Sequence, residues 1–166
     1  MCKDTITLIV SIATVLISIA TFSVAYSQMK IASAKTKLDL YNKRFNVYTS
    51  ALDYYHATWN EPHEKIKERG NQFTKSYRES QFLFEPGDGV YETLGKIQQN
   101  GSRIQAYEQH KYEREKNLTN DRLDLNTMHE SSVNARSDFE KNLHILEKQI
   151  EKYIQFKTIT GWKFFR

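Results

Sequence analysis

The sequence predicts an all-helical protein in which an N-terminal transmembrane helix continues into a cytoplasmic four-helix bundle. Three observations carry this prediction. Residues Thr5 to Met29 contain no charged side chain. The polar remainder repeats its apolar residues at alternating spacings of three and four. Runs that alternate apolar and polar residues, the signature of half-buried strands, are absent. Two prolines and six glycines in 166 residues leave long stretches without a break, so long helices are the natural filling.

Residues 1–29 form the predicted anchor and residues 30–166 the predicted helical domain. Ile6 to Ala25 reads ITLIVSIATVLISIATFSVA, which at ~1.5 Å per residue covers a hydrocarbon core of about 30 Å. Ser23-Val24-Ala25 has the small residues of a signal-peptide cleavage site. However, Lys3 and Asp4 leave the preceding segment without net positive charge, and the apolar run exceeds a usual signal core, so the anchor is the reading taken. Lys30, Lys35, Lys37, Lys43 and Arg44 follow the run against Asp39 alone. The positive-inside rule therefore puts the following domain in the cytoplasm.

Within the anchor, Thr7, Ser11, Thr14, Ser18, Thr21 and Ala25 recur four and three residues apart, which places them on one helix face. Lipid provides no hydrophobic drive between helices, so small hydroxyl-bearing side chains are what allow two helices to approach. The stripe predicts self-association, and in a ring of helices it could line a water-filled pore. The alternative is that each hydroxyl bonds the carbonyl four residues back and faces lipid.

The pattern resumes in Leu38, Tyr41, Phe45, Tyr48, Leu52, Tyr55 and Trp59, with no proline or glycine before Asn60. This predicts one helix running on from the anchor, with an aromatic seam to bury and a stop at Pro62. A second helix is expected over His63 to Phe84, with Phe73, Tyr77 and Phe84 inward and Gly70 as a break. Pro86-Gly87-Asp88-Gly89 is the strongest turn signal. Val90, Leu94, Ile97, Ile104 and Tyr107 mark a third helix towards Glu115, with Gly101 on its apolar face where close packing would use it. Asn117 to Asp124 reads as a loop. From about Leu125 a fourth helix carries Val133, Phe139, Leu143, Leu146, Ile150 and Tyr153 and ends before Gly161. Trp162-Lys163-Phe164-Phe165-Arg166 is a basic aromatic tail suited to docking on the bundle or on lipid.

The net charge of +4 is spread among nearly as many carboxylates as cations, which argues against a nucleic-acid partner. Cys2 is the one cysteine, so no internal disulfide forms. The histidines fall into no ligand spacing with Cys2 or with a carboxylate cluster, and no glycine-rich phosphate loop is present. No metal or cofactor is expected. The one arrangement with chemical content is Arg103 and His110, seven positions apart and hence on one helix face, ~10 Å apart along the axis. An arginine to hold phosphate and an imidazole to move a proton could act there.

The segment Arg103 to His110 resembles the arginine, four-to-six residues, histidine motif of the HEPN superfamily, whose helical bundles are often ribonucleases. With the short anchor and the helical remainder, the whole chain resembles the small membrane accessory proteins encoded beside type VI-B CRISPR RNA-guided ribonucleases. That resemblance implies a ring-like homo-oligomer larger than a dimer in the bacterial inner membrane, acting beside the ribonuclease in anti-phage defence as a depolarising pore. In ribonuclease members a polar residue usually follows the arginine. Here Ile104 stands in its place, so Arg103 and His110 are expected to be structural or gating residues and the chain is not expected to be an enzyme. A membrane-tethered HEPN ribonuclease and a non-enzymatic scaffold are the alternatives.

Overall fold

The computed structural model describes residues 2–118 and 124–154, and among these every regular element is helical. They are α1 (Cys2–Asn60), α2 (His63–Ser80), α3 (Val90–Glu115) and α4 (Leu125–Ile154), with a single 3-10 turn at Pro86–Asp88. The centre of the expected loop after α3, the expected stop at Gly161 and the tail from Trp162 to Arg166 lie outside the described residues. The chain divides into two compact units, Met1–Leu40 and Tyr41–Arg166.

In the first unit, α1 contains a stretch long and apolar enough to cross a membrane, and every described side chain from Lys3 to Leu40 is exposed.

The second unit builds one hydrophobic core from four helical segments. Local chemistry sets their ends. Pro62, which cannot continue α1, stands at the N-cap of α2, and its carbonyl accepts the amides of Lys65 and Ile66 at 2.9 and 3.1 Å. Helix α2 runs straight through Gly70 and stops at Ser80, short of the expected Phe84, because the next amides turn back onto the carbonyls of Glu79 and Ser80. Gly89 has φ of +69°, a left-handed conformation that turns the chain into α3. Asn117, at φ +52°, closes α3 with Leu118 N donating to Glu113 O at 2.8 Å, the bond pattern of a Schellman stop. Asp124 opens α4, accepting from Asn126 N at 3.0 Å and Thr127 Oγ1 at 2.6 Å. Those bonds hold its carboxyl below the usual carboxylate range.

The buried face of α1 differs from the expected one. Val47, Ala51, Tyr54 and Ala57 enter the core, while Leu38, Phe45 and Trp59 of the aromatic seam are exposed and Tyr41, Tyr48, Leu52 and Tyr55 are half-buried. Ala51 and Ala57 are small, and the one bulky residue of that face, Tyr54, fits its ring against two glycines. A Cβ on Gly101 would lie 2.2 Å from the Tyr54 ring, and one on Gly70 3.1 Å from it. Phe73 and Phe139 flank the same ring at 5.7 and 5.6 Å. Three residues of the aromatic seam, Tyr48, Tyr55 and Trp59, meet the flank of α4. Tyr48 donates to Glu147 Oε1 at 2.7 Å, Tyr55 meets Phe139 at 5.3 Å, and Trp59 lies beneath Arg136 at 5.5 Å. Val133, expected inside, is 50% exposed.

Candidate functional site

The small-residue stripe is a ladder of hydroxyls that close on their own helix. Thr7 donates to Lys3 O at 3.0 Å, Ser11 to Thr7 O at 2.9 Å, Thr14 to Val10 O at 2.8 Å, and Ser18 to Thr14 O at 2.8 Å. Thr21 bonds Ile17 O at 2.5 Å and Ser18 O at 3.1 Å, and Ala25 ends the row. Each hydroxyl has its partner one turn back, so none requires water or a neighbouring chain, and the row is left as a shallow strip between ridges of Ile, Leu, Val and Phe.

Arg103 and His110 share α3 and, among the described residues, form no constellation with another helix. Arg103 is exposed. His110 is partly exposed, its Nδ1 3.9 Å from Glu113 Oε2 one turn further on. Ile104, next to the arginine, is wholly buried, and Tyr107 between the two contacts His129 Nδ1 through its hydroxyl at 3.1 Å. This stretch of α3 is occupied with packing. Among the described residues no group of three His, Cys, Asp or Glu side chains is placed to hold a metal.

Two polar clusters were not singled out from the sequence. Arg136 on α4 donates through Nε and Nη2 to the Thr58 carbonyl at 3.2 and 3.0 Å, through Nη1 to Ser132 Oγ at 2.5 Å, and through Nη2 to Glu108 Oε1 at 2.8 Å. One guanidinium thereby caps the last turn of α1 and ties it to α3 and α4. Its signal in the sequence was an arginine in register with the apolar stripe, four residues after Ser132 and three before Phe139.

The second cluster joins the turn before α3 to the end of α4. Asp88 accepts from Lys152 Nζ at 2.5 Å and from the Tyr153 hydroxyl. The Tyr153 ring lies 4.3 Å from the Arg44 guanidinium, whose Nε donates to Leu83 O at 2.8 Å. The Lys152 ammonium, then the Tyr153 hydroxyl, hold Asp88 below its ordinary range, and Asp88 in turn raises Lys152. On the flank of α4, burial and the Glu147 hydrogen bond push the Tyr48 phenol up to about 12, while Tyr48 and His144 hold Glu147 low. Between α1 and α2 a polar groove of about 320 Å³ is lined by Asn46, Thr49, Ser50 and Asp53 on one side and Gln72, Lys75, Ser76 and Glu79 on the other.

The fold and these features define a class: an all-helical chain with one N-terminal helix able to span a bilayer and a separate helical unit. No family model, no curated protein and no solved structure matches the chain.

Proposed function

We propose that this chain is a single-pass membrane protein that self-associates into a ring larger than a dimer, with the Thr7–Ala25 stripe turned towards its lumen, and permeabilises the membrane it spans. The observation that carries the reading is the stripe itself: six small residues on one face of an otherwise bulky apolar helix, five of them with hydroxyls already bonded to the backbone. Small side chains let helix backbones approach, and satisfied hydroxyls tolerate either lipid, a packed neighbour or a lumen. The basic residues after the span orient the domain towards the cytoplasm. On this reading its helices make a four-helix bundle of HEPN-like type in which Arg103 and His110 are structural or gating residues; the burial of Ile104 beside Arg103 supports that role. On the resemblance of layout to the type VI-B accessory proteins, the membrane is the bacterial inner membrane and the functional partner an RNA-guided ribonuclease in anti-phage defence. No cofactor takes part.

The test is Ser11→Leu and Ser18→Leu, read by mass in detergent and by ion flux in vesicles. The pore reading expects wild type larger than a dimer and intact rings of the variants with reduced flux. Full flux through intact rings of both variants, or a monomeric wild type, overturns it. Purified wild type that cleaves RNA, with the activity lost in Arg103→Ala or His110→Ala, would establish the ribonuclease alternative.

A further inference from the structure

We infer that the groove between α1 and α2 binds a polar α-amino acid, a small ligand that carries both an ammonium and a carboxylate; this rests on the second unit alone and not on the membrane reading. Two contacts fix how the helices face each other. Arg69 Nη1 lies 3.9 Å from Asp53 Oδ2, and Arg44 Nε donates to Leu83 O at 2.8 Å. Going back along α1 from Asp53 to Arg44 thus goes forward from Arg69 to Leu83, so Asn46, Ser50 and Asp53 run antiparallel to Gln72, Ser76 and Glu79 across the groove. Seven residues on each side make it roughly 10 Å long at 1.5 Å per residue. Its volume of about 320 Å³ is at the low end for small-molecule sites, which suits a metabolite and not a polymer.

Much of the lining is already bonded within the unit. Thr49 and Ser50 donate to the carbonyls of Asn46 and Val47 at 3.2 and 2.9 Å, and Gln72 accepts from Arg69 at 3.1 Å. Ser76 differs. It lines the groove at 5% exposure, and its hydroxyl has no hydrogen-bond partner among the described residues. A helical serine can close on a carbonyl three or four residues back, as Ser80 does on Tyr77 O at 2.7 Å. A buried hydroxyl without that bond is available to a ligand in the groove. Charge then selects the ligand. Arg69 accompanies Asp53, which leaves Lys75 and Glu79, one turn apart on α2 and paired neither with each other nor with another described side chain. A dicarboxylate would set like charge against Glu79, a diamine would do so against Lys75, and a neutral polyol would match neither. A zwitterion answers both, its carboxylate on Lys75 and the Ser76 hydroxyl, its ammonium on Glu79. The Asn46 carboxamide, level with Glu79 across the groove, is placed for a polar side chain.

Binding in an open polar groove is weak, with Kd on the order of 1 mM. Saturation-transfer NMR suits that range and is run on the full chain in detergent with L-serine, L-asparagine and L-glutamine in turn. The expected result is saturable transfer to at least one of them and none to succinate, 1,4-diaminobutane or glucose. Lys75→Met and Glu79→Gln, both at exposed positions that leave the core intact, should each weaken binding about three- to tenfold, less than loss of a buried charged hydrogen bond would. Ser76→Ala should weaken binding too, while thermal unfolding of the ligand-free protein stays level or rises, because the hydroxyl it removes has no partner within the fold. Saturation by none of the three amino acids overturns the inference, as does equal binding of succinate, 1,4-diaminobutane or glucose. Amino-acid binding unchanged in all three variants places the site elsewhere and also overturns it. A fall in the ligand-free Tm of Ser76→Ala assigns the hydroxyl to the fold and counts equally against it.

Discussion

Gly101→Ala tests the packing of α1 more directly than any other single change. The added methyl would sit 2.2 Å from Tyr54 Cε1 and 2.5 Å from its hydroxyl, so ring and helix must part by about 1 Å to reach ordinary contact. Tyr54 has little room to give, with Phe73 and Phe139 on either side and Gly70 already close. Forced overpacking of this kind costs about 3 kcal/mol, at the upper end of the usual range, and the better helix propensity of alanine returns about 1 kcal/mol. The net loss is about 2 kcal/mol, or a fall in Tm of roughly 8 °C for a unit of this size. Near-UV circular dichroism of the full chain in detergent follows the transition. Tyr54→Ala alone loses about 3–5 kcal/mol by leaving a cavity, but in the double variant the methyl occupies space already vacated. The double variant should therefore lose about 3 kcal/mol less than the sum of the two, because the overpacking vanishes while the propensity gain remains. A Gly101→Ala protein as stable as wild type, or two strictly additive losses, would refute the seating of the Tyr54 ring on Gly101.

Three further changes probe the rest of the unit. Gly95→Ala meets only the outer end of a half-exposed Tyr77 at 3.3 Å, so the helix-propensity gain prevails and thermal unfolding should show a rise of a few tenths to about 1 kcal/mol. Arg136→Met strands Glu108 and the Thr58 carbonyl; discounted for partial exposure, the loss in urea titration is about 1–3 kcal/mol, and Arg136→Lys should recover little of it because one ammonium lacks the fork. Asp88 is held below 3.8 and Lys152 above 10.5, so the carboxylate's contribution is present above the first value and lost as pH falls through the depressed one, and the ammonium's is present below the second and lost as pH rises through the raised one. The Tyr153 ring resonances should accordingly shift with acid in wild type and stay flat over that range in Asp88→Asn.

Helix boundaries were legible because they are set locally. Pro62, the Pro86–Gly89 turn, the start at Val90 and the start near Leu125 each depend on a few neighbouring residues. The inward face of α1 was not. Two stripes one residue apart both satisfy helical spacing; the aromatic one carries more apolar area, yet the alanine-bearing one is buried. What decides between them is Gly70 and Gly101, far away in sequence, whose missing side chains admit Tyr54. Val133 shows the same limit on α4. At the candidate site, the common face of Thr7 to Ala25 and the hydroxyl bonds to carbonyls four residues back follow from helix geometry, so both readings were available from spacing alone. Whether one such face meets another is a property of two chains. Arg136 was overlooked because its partners, Thr58 and Glu108, come from two other helices.

The closed hydroxyl ladder has a consequence for how an assembly would be made. A span whose polar groups needed a neighbour would be unstable alone and would have to meet its partner during insertion. Here the lone helix is complete in lipid, so insertion and association are separable steps. Under the self-association reading, the trigger is then surface density: subunits accumulate harmlessly as dispersed spans, and the number per area of membrane, not the act of synthesis, sets when they combine.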